Sequence, residues 1–198
     1  MDKLAYERQL LSEGYKYICG VDEVGRGPLA GPVVCAAVIM PLDDIIEGVD
    51  DSKKLSAKKR ENLARLIAEK AVSLHISLIE PEKIDEINIL EATKLCMKNA
   101  VESLAVKPDF VLTDGNMKLD VSLPQKSIIK GDALSYSIGA ASIVAKVYRD
   151  NLMDGYAETY TEYGFKSNKG YGTAVHISAI EKYGLTPVHR RSFTKKWQ

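Results

Sequence analysis

The strongest constraint on this chain is a short run near its start. Two carboxylates, Asp22 and Glu23, end the otherwise apolar segment Ile18-Cys19-Gly20-Val21. Residues 17–23 read as a strand, and Gly25, Gly27 and Pro28 mark a turn after it. Carboxylates avoid apolar surroundings unless they are paired, hydrogen-bonded or bound to a metal. Adjacent strand residues also point to opposite faces. For Asp22 and Glu23 to serve one site, the strand must twist or bulge there.

Two further acids occupy similar places. Asp114 follows the apolar run Phe110-Val111-Leu112, and Asp132 stands in Lys130-Gly131-Asp132-Ala133 just before a helical pattern. In α/β sheets, ligands bind outside strand ends, so these positions can converge. Four carboxylates at one locus repel unless a divalent cation neutralises them, and hard oxygen ligands suit magnesium or manganese. Each acid taken alone has an ordinary explanation: Asp114-Gly115-Asn116 is a good turn sequence, and a lone acid at a helix start is usually structural.

The remaining pattern alternates strands with helices. A short amphipathic helix covers residues 2–13, and Gly14 suits its stop. Residues 32–40 form a β-branched apolar strand, and residues 43–54 a charged loop. Ser56 caps a helix running to about Ala71, and residues 72–79 alternate as a strand. Pro81 opens a helical stretch, another helix covers 88–105, and strands follow at 109–113 and, more weakly, 126–130. A long helix from Ala133 to about Asp154 carries the small residues Gly139-Ala140-Ala141-Ser142, which let a helix lie close to a sheet. A helix at 173–183 and a basic tail close the chain. The expectation is an α/β fold: a mixed sheet flanked by helices, in one domain over 1–198, with a helical C-terminal part from about residue 155 packed on it.

Twenty-seven basic and twenty-seven acidic residues cancel, but a basic groove and an acidic site would cancel in the same sum. Cys19, Cys35 and Cys96 are scattered and fit reduced thiols in the cytoplasm. Residues 1–14 are charged and do not read as a leader, and no apolar run reaches the ~20 residues that span a bilayer. His75, His176 and His189 lack metal-ligand spacing, so no zinc is expected. Gly25-Arg26-Gly27 is not a dinucleotide fingerprint: position 30 is Ala30, and a strand follows where that motif needs a helix. The glycines better suit close backbone approach to a ligand, with Arg26 offering a donor fork to phosphate. Basic residues cluster at Lys53, Lys54, Lys58, Lys59 and Arg60, at Lys146 and Arg149 one helical turn apart, and at His189, Arg190, Arg191, Lys195 and Lys196. Such clusters contact phosphate or are simply solvated surface.

The run from Asp22 through Gly25-Arg26-Gly27-Pro28-Leu29-Ala30-Gly31 to Pro32 resembles the signature of bacterial ribonuclease HII. The likeness continues in family order through Asp51-Ser52-Lys53-Lys54-Leu55-Ser56, Thr113-Asp114-Gly115 and Lys130-Gly131-Asp132. It then takes in residues 140–150, Lys169-Gly170-Tyr171-Gly172-Thr173 and His189-Arg190-Arg191-Ser192-Phe193. The related ribonuclease HIII type resembles the chain less, having Lys in place of Arg26.

The resemblance implies a ribonuclease H-like fold and an endoribonuclease. Its substrates would be the RNA strand of RNA–DNA hybrids and ribonucleotides embedded in duplex DNA, cut on their 5′ side to leave 5′-phosphate and 3′-hydroxyl, a chemistry suited to ribonucleotide excision repair. It implies Asp22, Glu23, Asp114 and Asp132 as catalytic ligands of two Mg2+ or Mn2+ ions. The backbone of Gly25, Arg26 and Gly27 would read the 2′-hydroxyl, and Tyr171 would stack beneath the next deoxyribose. Lys53, Lys54, Lys146, Arg149, His189 and Arg190 would complete the substrate contacts. A monomer is expected, and residues 192–198 show no clear clamp-binding motif. Two alternatives stay open: another metal-dependent nuclease on the same fold, indifferent to the 2′-hydroxyl, and a non-catalytic nucleic-acid binder.

Overall fold

The computed structural model describes residues 2–197. Strands β1 (Ile18–Val24), β2 (Val33–Ile39), β3 (Ser73–Ile79), β4 (Phe110–Asp114) and β5 (Gln125–Ile128) form one sheet in the order β3-β2-β1-β4-β5. β1, β2 and β3 pair antiparallel in succession, whereas β4 pairs parallel with β1 and β5 parallel with β4. The expected mixed sheet flanked by helices is what forms.

Among the described residues, seven α-helices surround it: α1 (Ala5–Ser12), α2 (Ala57–Lys70), α3 (Pro81–Glu102), α4 (Gly131–Leu134), α5 (Tyr136–Thr159), α6 (Phe165–Asn168) and α7 (Ala174–Tyr183). Strand alternation sorts the side chains of β1 into two layers. Cys19 and Val21 pack with Cys96, Met97 and Ala100 of α3, while Ile18 packs with Ile138 of α5. On the α5 side Ala36 and Val38 meet Leu63 and Ile67 of α2 and Ala140 and Val144 of α5. All three cysteines are buried and unpaired, and burial pushes the Cys19 thiol up to about 12.

Two boundaries differ from the sequence pattern. The helix expected from Ala133 starts at Tyr136, because the Ser135 hydroxyl caps it by accepting from the Ile138 N–H at 3.2 Å. The stretches expected after Pro81 and from residue 88 run together as α3, with Asn88 at φ 67° breaking the helix between them. The Asn88 side chain accepts from the Leu90 and Glu91 amides at 2.9 and 3.2 Å and so starts the second segment. The one-turn α6 carries no periodic signal in the sequence.

Glu7 of α1 is fully buried, which its place on an amphipathic helix did not suggest. Its Oε1 accepts from the Ser135 hydroxyl at 2.6 Å and the Ser137 N–H at 2.9 Å, fastening α1 to the start of α5. No described helix is long and apolar enough to cross a membrane.

The small residues of α5 do let it lie close to the sheet, but the nearest approach is to a glycine on the strand. A Cβ on Gly20 would overlap the main chain of Ser137 and Ile138. Gly20→Ala is therefore expected to destabilise the protein by about 1–3 kcal/mol or more, by overpacking that forces β1 and α5 apart. Chemical denaturation measures this; an unchanged midpoint would show that α5 is free to shift.

Candidate active site

β1 and β4 run parallel with Ile18 opposite Phe110, Gly20 opposite Leu112 and Val21 opposite Thr113. One residue further, the same register brings Asp22 level with Asp114, both on the face that looks toward α5. Adjacent strands lie ~4.8 Å apart, so two carboxylates placed this way are forced together. Asp132 joins them from the first turn of α4. The link is the Gly131 N–H, which donates to Asp114 Oδ1 at 2.6 Å and draws the start of α4 onto the end of β4. Oxygens of Asp22, Asp114 and Asp132 lie within 4.8 Å of one another, the one such group of potential metal ligands among the described residues.

Glu23 does not belong to that group. It follows Asp22 on a regular strand, pairs with Cys35 across β1 and β2, and so leaves from the other face. Its longer side chain still reaches the cleft, where it lies 3.5 Å from the Arg26 guanidinium. The cleft encloses about 290 Å³ between Asp22, Glu23, Asp114, Ser142, Lys53, Lys146 and Tyr171. A larger cavity, about 520 Å³, lies beside Asp85 and His189. There Asp85 is spent on the Arg191 and Ser192 amides, and no carboxylate cluster forms.

The electrostatics of the cleft are strained. Burial, then Glu23, then Asp114 hold the Asp22 carboxyl well above the usual carboxylate range. Hydrogen bonds from the Ser142 hydroxyl and the Glu23 N–H, the latter at 2.7 Å, oppose this only in part. Burial raises Glu23 against the pull of Arg26, with Asp114 adding to the rise. Asp132 is raised by burial, Asp114 and Asp51, and eased by Lys53. A hard divalent cation relieves such a set, and its donors are all carboxylate oxygens. The residues present therefore fit the metal that the motif implies. Ser142 is held in turn by the Ser52 hydroxyl at 3.0 Å, both groups being buried. Ser52 and Ser142 act on Asp22 although no charge in the sequence marked them.

The basic residues divide into two sets. Lys53 and Lys146 line the cleft, Lys146 with Asp150 at 2.5 Å, while Lys54 is exposed beside Asp50. Arg149, His189 and Arg190, expected to meet substrate, are instead buried at 1%, 3% and 0% exposure. Arg149 donates to the carbonyls of Pro32, Lys169 and Ala30 at 3.0, 2.9 and 3.0 Å. Arg190 donates to those of Gly31, Arg26 and Gly25 at 2.9, 2.9 and 2.5 Å. Direct phosphate contact is thus corrected to support of the glycine turn from within. Lys146 and Arg149, three residues apart on α5, therefore serve different ends: one lines the cleft and the other is buried.

The same packing explains Gly25. It has φ +93°, and a side chain there would run into Arg149. Tyr171 is 48% exposed and stands over Gly27, where an added Cβ would lie 3.6 Å from the ring.

Fold and site together define a ribonuclease H-like hydrolase: a five-stranded mixed sheet with acidic residues gathered at the ends of its central strands. The sequence model of the Ribonuclease HII family matches residues 19–196. The chain belongs to the ribonuclease HII family and has its ribonuclease H activity.

Among curated relatives, it is 56% identical over 188 residues to Ribonuclease HII of Enterococcus faecalis, covering 95% of this chain and 73% of that one. It is 53% identical over 194 residues to Ribonuclease HII of Acholeplasma laidlawii, covering 98% and 95%. Among solved structures, ribonuclease H2 of Pyrococcus horikoshii matches with a TM-score of 0.78 at 29% identity, over 92% of this chain and 97% of that one. Bst-RNase HIII, solved in complex with Mn2+, matches at 20% identity and TM-score 0.74 over 100% and 73%, a likeness of fold.

A carboxyl whose folded value is raised stabilises the fold below its unfolded value, and loses that contribution as pH rises through the folded value. The raised Asp22 carboxyl should therefore weigh against the metal-free fold at neutral pH, where the unfolded chain has released this proton. Asn at this position removes the charge, so Asp22→Asn should raise Tm in chelator by about 2–4 °C per kcal/mol relieved. The gain should shrink as pH falls to the range where Asp22 is protonated in both states. Thermal melts across pH check this; an equal or lower Tm at neutral pH would contradict the strain described.

Proposed function

We propose that this chain is an endoribonuclease that hydrolyses the RNA strand of RNA–DNA hybrids and cuts 5′ to ribonucleotides embedded in duplex DNA. The products would carry 5′-phosphate and 3′-hydroxyl ends. The observation that carries this is the juxtaposition of two features: three carboxylates within 4.8 Å of one another, and a cleft wall where Tyr171 stands over the Gly25–Gly27 turn. Asp22, Asp114 and Asp132, with Glu23 reaching in from the other face, would hold two Mg2+ or Mn2+ ions. When bound, such ions polarise phosphate and bring the pKa of a bound water toward neutrality.

The protein's own groups account for orientation and selectivity. Arg190 engages the carbonyls of Gly25 and Arg26, which leaves the amide donors of the turn as its chief means of meeting a ligand. A 2′-hydroxyl is both donor and acceptor, so main-chain groups at this turn can tell ribose from deoxyribose. The exposed Tyr171 ring offers a flat apolar surface for the next sugar. Lys53 and Lys146, which line the cleft, together with Arg26 and the exposed Lys54, would meet backbone phosphates. A cytoplasmic setting suits three unpaired, buried cysteines. Residues from about 155 onward would belong to the same catalytic unit, since Leu29 and Gly31 hydrogen-bond to Gly170 and Val188 at 2.8 Å each.

Duplex DNA with one embedded ribonucleotide, supplied with Mg2+ or Mn2+, should be cut 5′ to the ribonucleotide. Asp22→Asn should abolish cutting, by about 10³-fold or more if the carboxylate is essential to charge stabilisation in the transition state. Equal cutting of an all-DNA duplex would favour a nuclease blind to the 2′-hydroxyl, and activity in excess chelator would rule out the metal. Tyr171→Ala should lower cutting at the embedded ribonucleotide while leaving Tm unchanged; an undiminished rate would remove Tyr171 from the site.

A further inference from the structure

His176 of α7 and His189 of the C-terminal segment are both buried, with their Nε2 atoms 3.0 Å apart. The outer nitrogens fix how this pair is protonated. His189 Nδ1 faces the Thr186 N–H at 3.0 Å, and a main-chain N–H can only donate, so Nδ1 accepts and the His189 proton sits on Nε2. His176 Nε2 must then accept, and its proton sits on Nδ1, facing the Tyr171 carbonyl at 2.9 Å. A carbonyl can only accept, so both ends of the chain demand the same direction: Thr186 to His189 to His176 to Tyr171. The Thr186 hydroxyl, 2.8 Å from His189 Nδ1, can add a second donor at the start. An extra proton on His176 would set two N–H donors against each other at the centre, and one on His189 would set its Nδ1–H against the Thr186 N–H.

The next residue works on the neighbouring loop. Arg190 holds the carbonyls of Gly25, Arg26 and Gly31, while His189 reaches Tyr171 through His176. Two adjacent residues thus tie down the two surfaces that meet at Gly27 and Tyr171.

We propose that the His176–His189 pair is a positioning device for Tyr171, a one-directional hydrogen-bond chain that sets the tyrosine against the Gly25–Gly27 turn and thereby the preference for an embedded ribonucleotide over uninterrupted hybrid. This rests on Tyr171 serving that junction. Burial pulls both imidazoles below their ordinary range, His189 to about 4, which keeps the chain neutral. The groups around the pair are the rings of Tyr163 and Phe165, with Glu82, Asp85 and Arg191 lining the cavity on the His189 side.

The test compares cleavage of a single embedded ribonucleotide with cleavage of an all-RNA strand in a hybrid, in Mn2+, for the full chain and three variants. His176→Asn keeps a donor near the Nδ1 position, whereas His176→Gln moves it to the Nε2 position. His176→Gln should lower the ratio of junction to hybrid cleavage about five- to tenfold, the worth of one lost hydrogen bond, and His176→Asn should restore most of it. Equal ratios for the two variants, or an equal loss on both substrates, would overturn the proposal. Tyr171→Ala separates it from the function it rests on. If Tyr171→Ala leaves the ratio unchanged, junction recognition by Tyr171 itself fails; if it lowers the ratio and His176→Gln does not, the histidine chain alone fails. Nitrogen NMR of the unmutated protein gives a reading independent of variant folding. It should show neutral rings at neutral pH, protonated at Nδ1 in His176 and at Nε2 in His189; other tautomers would refute the chain.

Discussion

Asp22 near the end of β1 and Asp114 at the end of β4 stand side by side on adjacent parallel strands, on the same face, with Asp132 drawn to them by one main-chain N–H. No rotamer choice can move charges so placed far apart. Much of the surrounding structure compensates for that repulsion. Ser142, backed by Ser52, donates to Asp22; the Gly131 amide donates to Asp114; Lys53 eases Asp132. These contacts reduce the strain without removing it, since burial still holds Asp22 well above the ordinary range. A carboxylate cluster kept under such tension lowers the stability of the fold that carries it, the usual exchange between a functional site and a relaxed fold.

The second organising element is a pair of buried cations. Arg149 and Arg190 each place three donors on backbone carbonyls, five of the six on residues 25–32 and one on Lys169. A buried guanidinium is tolerable when its hydrogen bonds are met, even without a carboxylate partner. The turn after β1 is therefore rigid for a reason outside its own sequence: it is wrapped around two arginines from α5 and the C-terminal segment.

The C-terminal third joins the site through these same contacts. Lys169 and Gly170 hydrogen-bond to Arg149 and to Leu29, Tyr171 stands over Gly27, and the two histidines link Tyr171 to Thr186. The C-terminal part, expected to pack on the sheet, thus also supplies a wall residue of the cleft, Tyr171.

What was legible in the sequence was whatever depends on local pattern. Period-two alternation marked the strand at 72–79 and apolar runs marked others, Ser56 marked a helix start, and Asp22, Asp114 and Asp132 stood out as charges at the ends of apolar runs or at a helix start. Tertiary structure alone decided the rest. Strand pleat put Glu23 on the opposite face from Asp22, although the two are neighbours in the chain. Close packing made Gly20 indispensable and buried Glu7, neither of which carries a local signal. Arg149, His189 and Arg190 show why charge in a sequence does not reveal its use. A basic side chain reads the same whether it meets phosphate or a backbone carbonyl, and only the path of the distant Gly25–Pro32 segment determines which. The acids at the strand ends were determined by the sequence itself, because a carboxylate following apolar strand residues is costly wherever the chain goes. Their companions were not, because hydrogen bonds such as Gly131 to Asp114 or Ser142 to Ser52, across 17 and 90 positions of chain, exist only once the fold has brought the residues together.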